Sequence, residues 1–312
     1  APYSRALGRG VIDISVTNTL RLDGKITANA QSGSYGGASG GAIWLRVNVL
    51  DGNGLVQANG GNGSYYKGAY GGAGGGGRIA VTGHSLLSGL FATKDFADHL
   101  QARGGTDSLK LRGGAGTIYV HPKGATHGDV WVHNFGDRPS VPTPLLSLPA
   151  VKVVEQVAGG VRVDIALIPD RYTHAIALLG GGEDGAGAKG ESGYGKPGIA
   201  GDPRLTITGN TKDIISFAGK SGGKALPGEL PKKGTTLRLA AIFDRLHVGG
   251  RANLTHDGAL RIVSGDVTNA ADVSKQKSLW LGAHVQAQLI DLPAVEAIAL
   301  IGGGLTTEHL VV

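Results

Sequence analysis

Cysteine and methionine are both absent from the 312 residues. The first absence removes disulfides, thiol nucleophiles and zinc ribbons as means of building or using the fold. Together the two absences leave none of the sulfur side chains that oxidise most readily, which suits an exposed, oxidising life outside the cell. The sequence opens Ala1-Pro2-Tyr3 with no initiator methionine. Loss of a signal peptide accounts for that start, so a secreted, cell-surface location is expected. Aromatic residues make up only 5% of the chain, so a core has to be assembled from Ala, Val, Leu and Ile in thin layers. Runs approaching the ~18 apolar residues that cross a bilayer are also missing, and no membrane insertion is expected. Basic residues are in mild excess, with net charge +6 and pI near 9.4, but only Lys232-Lys233 stand side by side. Nucleic-acid binders concentrate such residues on one face. No nucleic-acid partner is expected, and the excess suits weak attraction to an acidic polysaccharide.

Glycine is what the chain has in abundance, at 56 of 312 residues, more than twice the usual ~7%. A strict Gly-x-y period is absent, which excludes collagen. The densest run, Gly60 to Gly77, reads GGNGSYYKGAYGGAGGGG and leads directly into Arg78-Ile79-Ala80-Val81. A shorter version spans Ser32 to Gly41. Alternating segments that begin at a glycine recur at Gly10–Val16, Gly41–Val47, Gly77–Val81 and Gly116–Val120, each with the period of a half-buried strand. Between them an apolar-x-Ala-Asn/Arg-Gly-like element starts at Ile26, Val56 and Leu100. Repeats at such periods indicate solenoids, propellers or arrays. Short strands, no amphipathic helix of useful length and one loop of variable size per repeat describe a coil of a parallel β-helix. Its loops can lengthen at little entropic cost.

Arg138 to Pro149, RPSVPTPLLSLP, carries four prolines, and proline is confined to edges, bends and linkers. The expected organisation is therefore Gly-rich β-helix repeats over 1–138, a Pro-rich connection over 139–149, and a second β-helix or β-rich part over 150–312. That last part is bracketed by matching junctions, His174–Gly182 and Glu296–Gly304. The whole is expected to be all-β.

The runs Gly40-Gly41-Ala42-Ile43-Trp44-Leu45, Gly52-Asn53-Gly54 through Gly63, and Gly74–Val81 resemble the glycine-rich repeats of large secreted and surface-anchored adhesin-like proteins. The resemblance covers residues 10–120. It implies a right-handed parallel β-helix with long Gly-rich loops and an extracellular structural or adhesive role, such as a subunit of a surface fibre. That group has no shared catalytic residues to transfer.

Several constellations invite chemistry. Asp170-Arg171-Tyr172-Thr173-His174 is the densest. If the protein were a polysaccharide lyase or hydrolase, Arg171 would neutralise a uronate while Tyr172 or His174 moved the proton, with Asp170 beside them. Glu183-Asp184 after a glycine run offers oxygen ligands to Ca²⁺, and no other cofactor is implied. His121, His127 and His133 are spaced by six, which fits neither strand nor helix ligand spacing. Tyr35, Tyr65, Tyr66, Tyr70 and Tyr194, five of the eight tyrosines, sit inside glycine-rich loops. Either those loops stack on one another or the rings present a flat surface to carbohydrate, as a carbohydrate-binding module would. Asn62 and Asn253 begin N-glycosylation sequons. The tail Leu305–Val312 reads as a strand that would pair with a neighbouring chain. Self-association by strand edges and extracellular polysaccharide are thus the expected partners.

Overall fold

The computed structural model describes residues 7–8, 10–66, 68–92, 96–125, 127–136, 139–145, 150–167, 176–180, 204–218, 230–239, 241–249, 251–256, 259–262, 278–281, 284–291, 297–300 and 304–311. It is all-β. Among the described residues the only helical turns are Gly89–Ala92 and Phe96–His99. The first stretch contributes β1 (Val11–Arg21), β2 (Lys25–Thr27), β3 (Ala42–Asp51), β4 (Leu55–Gln57), β5 (Tyr65–Tyr66), β6 (Ala69–Tyr70), β7 (Arg78–His84), β8 (Leu86–Leu87), β9 (Leu100–Gln101), β10 (Thr117–Pro122), β11 (Asp129–His133) and β12 (Thr143–Pro144). The four segments that begin at glycine lie side by side as β1, β3, β7 and β10, parallel and in register. Ile12, Ile43, Ile79 and Ile118 form one row across them. Period-2 alternation explains the placement. Ile43, Leu45 and Val47 point into the core while Trp44 and Arg46 point out.

The repeated element stacks as well. Ile26, Val56 and Leu100 are register partners in the parallel sheet β2-β4-β9. This sheet and the inner face of β1, β3, β7 and β10 share one core, which includes Leu45, Val56, Val81, Leu100 and Val120. That core thins at one end. Leu45 and Val47 are at most 2% exposed, whereas Ile12, Ile14 and Val16 of β1 are only partly buried.

At β10 the sheet changes character, because β11 pairs with it antiparallel. Antiparallel partners share a face, so Trp131, opposite Ile118, packs on the first core, and Tyr119, opposite Val130, packs on a second. The sheet therefore buries one face before this junction and the other face after it.

Between β12 and the second core the chain builds a separate unit from β13 (Ala150–Val157), β14 (Gly160–Val163), β15 (Ile176–Gly180), β16 (Arg204–Asn210), β17 (Ile214–Phe217) and β18 (Thr236–Leu239). Every described pairing among them is antiparallel, and the six close into a barrel in the order β13-β14-β17-β16-β15-β18. Val151, Val161, Ile207, Ile215, Phe217 and Leu237 fill it.

The chain then returns. The last strands are β19 (Ala241–Phe243), β20 (Arg245–Gly249), β21 (Asn253–Thr255), β22 (Ala259–Ile262), β23 (Ser278–Leu281), β24 (His284–Asp291), β25 (Ala297–Leu300) and β26 (Gly304–Val311). β20 pairs parallel with β11, and β23 and β25 extend the same sheet. β21 pairs with β12, and β24 pairs with β21, β22 and β26. Residues after the barrel thus rejoin the sheets left at β11 and β12. The tail strand β26 is paired within its own chain, on one edge of β24.

Candidate functional site: tyrosines on a glycine layer

The tyrosine-bearing loops stand on the stacked repeats, and backbone bonds hold the stack. Ala28 donates to the carbonyl of Gln57 at 2.7 Å and Ala58 to that of Gln101 at 2.8 Å. Gly33 donates to Asn62 and Gly63 to Thr106, both at 3.0 Å. Side-chain amides at repeated positions add a parallel ladder. Asn29 Oδ1 accepts from the Asn59 N–H at 2.8 Å, and Asn59 Oδ1 accepts from the Arg103 N–H at 2.9 Å. Gln57 Nε2 donates to Gln101 Oε1 at 2.8 Å. Asn62 is spoken for too, its Oδ1 accepting from Thr106 N–H at 2.9 Å.

The glycine runs form a layer of backbone packed on backbone. Gly61 donates to Ala38, Gly74 to Gly61 and Gly105 to Gly74, at 2.8 to 2.9 Å. Much of the layer admits only glycine at this closeness, and Gly61 and Gly77 illustrate it. A Cβ on Gly61 would overlap the Gln31 carbonyl, and one on Gly77 the Gly41 carbonyl. Large aromatic rings cannot enter such a layer, so they are carried outward.

Tyr65 and Tyr66 form β5, which turns at Gly68, whose φ of 84° is glycine's region, into Ala69 and Tyr70 of β6. Tyr65 and Tyr70 are opposite one another across this hairpin, their ring centroids 4.9 Å apart and tilted by 51°. Tyr66 meets Tyr35 edge to face at 5.3 Å. Parallel bridges from Gly33 to Gly63 and from Gly36 to Gly72 hold the Tyr35 loop beside the hairpin. Tyr35, Tyr65 and Tyr70 are 48%, 54% and 59% exposed. The rings therefore form two pairs, Tyr65 with Tyr70 within the hairpin and Tyr66 with Tyr35 between two loops that are separate in sequence.

Other expected site residues fall elsewhere. Tyr194, Asp170, Arg171, Tyr172, His174, Glu183 and Asp184 lie outside the described residues. His121 stacks beside Tyr119, and His133 meets Phe135 edge to face at 4.4 Å. Among the described residues no three His, Asp or Glu side chains are grouped to hold a metal ion. No described helix is long and apolar enough to cross a membrane.

One cluster had no signal in the sequence. Across the β11–β20 pairing, Trp131 and His247 stack with centroids 4.5 Å apart and planes 4° from parallel. Burial in that stack, helped by Arg245, lowers the His247 pKa to about 4, although the residue as a whole is half-buried. Next to it Arg245 grips the buried Asp129 carboxylate at 2.7 and 3.0 Å. Partners 116 residues apart cannot be matched by spacing.

No family model matches the chain, and neither a curated protein nor a solved structure matches it.

Proposed function

We propose that this chain is an extracellular structural or adhesive β-solenoid, a right-handed parallel β-helix carrying an inserted barrel, and that it associates through strand edges as a subunit of a surface fibre. The observation that carries this reading is the in-register stacking of the repeated elements at 26, 56 and 100, each copy one layer above the last. Such an array is extended by adding layers, and its ends expose unpaired strands. β1 is one such edge. It is eleven residues long, lacks Lys and Pro, and leaves Ile12, Ile14 and Val16 half-covered where the next layer buries their counterparts. The absence of cysteine and methionine supports a location in oxidising surroundings.

Sedimentation velocity over a rising concentration series tests it. Growth of the chain into larger species, suppressed by Ile14→Lys on the β1 edge, is expected. A single monomeric species at every concentration would overturn assembly through β1.

A second reading, a carbohydrate-binding surface, is favoured by the exposed rings of Tyr65 and Tyr70 on the hairpin and of Tyr35 on the loop beside it, since exposed aromatic rings suit sugar faces. Retention on acidic polysaccharide that is lost in Tyr70→Ala supports it, and no retention sinks it. The polysaccharide-degrading alternative depends on Asp170, Arg171, Tyr172 and His174, and no described residue adds to it.

A further inference from the structure

We propose that Tyr65 and Tyr70 are a site of oxidative coupling, joined by a one-electron oxidant such as a haem peroxidase with hydrogen peroxide into a dityrosine that staples the β5–β6 hairpin. The two rings face each other across a two-stranded hairpin with centroids 4.9 Å apart, so only small side-chain rotations bring their ortho carbons together. Both are more than half exposed, which gives an oxidant or a peroxidase-generated radical access. The base beneath them is the hydrogen-bonded glycine layer, so the pair is held together before any chemistry. Proximity of this kind favours coupling within the chain over coupling between chains.

Composition directs oxidation to the same place. Cysteine and methionine, which would otherwise consume the oxidant, are absent from the sequence. The exposed Trp44 donates its indole N–H to Thr82 at 2.9 Å and has the Arg46 guanidinium over its ring, so a cation rather than a second phenol lies against it. Tyr66 is turned edge-on to Tyr35, a geometry less suited to joining ortho carbons than the tilted Tyr65–Tyr70 pair.

The balance is complete. Each phenol loses one electron and its hydroxyl proton to give a tyrosyl radical. The two radicals form one carbon–carbon bond between their ortho positions, and the two displaced ring hydrogens move to the oxygens as the rings regain aromaticity. Two electrons and two protons leave in all, and they reduce one hydrogen peroxide to two waters. This site stands independently of the assembly and carbohydrate readings.

The test treats the intact chain at low concentration with a haem peroxidase and hydrogen peroxide. The expected product is a monomer lighter by two hydrogen atoms, with the blue fluorescence of dityrosine. Lys67 lies between the two tyrosines in the sequence, so trypsin separates them unless they are linked, and a branched peptide containing both is the defining product. Tyr65→Phe and Tyr70→Phe keep the rings and the fold, checked by circular dichroism, and each is expected to abolish that peptide. Coupling mapped to other tyrosines, coupling only between chains, or no coupling where free tyrosine is consumed under the same conditions would overturn the proposal.

Discussion

The parallel stack and the antiparallel barrel use the same small aliphatic side chains and meet the edge problem in opposite ways. The barrel, β13 to β18, pairs its first strand with its last, so every strand has two neighbours. The stack grows layer on layer, and β1 at its end has one neighbour among the described strands. The consequence is visible in burial. Phe217 and Ile215 of the barrel are fully buried, as are the interior layers of the stack, but the β1 layer is not. Closure completes a core locally, and stacking leaves completion to the next layer.

The two regions should differ most at their glycines. Gly77→Ala drives a Cβ into the Gly41 carbonyl and is expected to cost about 3 kcal/mol or more. Gly209→Ala in the barrel meets nothing within 4 Å and is expected to shift stability by less than ~0.5 kcal/mol. Urea unfolding of both variants measures the contrast, and equal losses would show that the layer tolerates side chains.

Register partners sharpen the end effect. Ile14 and Leu45 occupy the same row one layer apart. Leu45→Ala is expected to cost ~3 kcal/mol and Ile14→Ala ~1 kcal/mol, because a half-covered site has less to lose. A full-sized loss at Ile14 would mean that β1 is already covered in solution.

Acid should separate the two regions. His247 titrates at about 4 in the folded chain against 6.5 as its ordinary value, and burial lowers His84 and His133 in the same direction. The unfolded chain then binds protons that the folded chain refuses, so stability present above pH 6.5 is lost as pH falls toward 4. After allowance for the partial exposure of the residue, His247 contributes about 2 kcal/mol of that loss. The barrel's own sequence holds one histidine, His174. Hydrogen exchange at pH 4.5 is therefore expected to open β11 and β20 before β13 to β18, and His247→Phe to narrow the gap. Simultaneous opening would contradict it.

The smallest contrast concerns amide-to-backbone bonds. Asn59→Ala removes the acceptor of the Arg103 N–H inside the ladder and is expected to cost ~1.5 kcal/mol. Asp164→Ala removes the exposed acceptor of the Lys152 N–H on the barrel and should cost ~0.5 kcal/mol. Thermal melts distinguish them.

Much of the stack was legible because its information is local and repeated. Ile26, Val56 and Leu100 head copies of one pattern, and identical layers pair most simply by lying on one another. The strands beginning at Gly41, Gly77 and Gly116 show alternation over five to seven residues, which defines their inner and outer faces before any partner is chosen. For the tyrosines in glycine loops the sequence left loop-on-loop stacking and outward presentation both open, and among the described ones Tyr35, Tyr65 and Tyr70 are exposed. The tail at Leu305–Val312 also reads as a strand, but an edge carries no address. Its pairing with β24 of the same chain along one edge is a contact that the strand pattern did not specify.

The sequence thus determined that the described residues build an all-β fold, which side chains face inward along each early strand, and which copies of the repeat correspond. Only the tertiary structure decided that the parallel sheet reverses at β10 and β11 and buries its other face. It likewise decided that six strands close into a barrel inside the stack, and that Trp131 meets His247, Asp129 meets Arg245 and Tyr35 meets Tyr66. The physical reason is range. Strand period and glycine closeness act between neighbours in sequence, whereas closure, reversal and ring contacts join segments 30 to more than 100 residues apart, and no local pattern encodes which of the many apolar edges will meet.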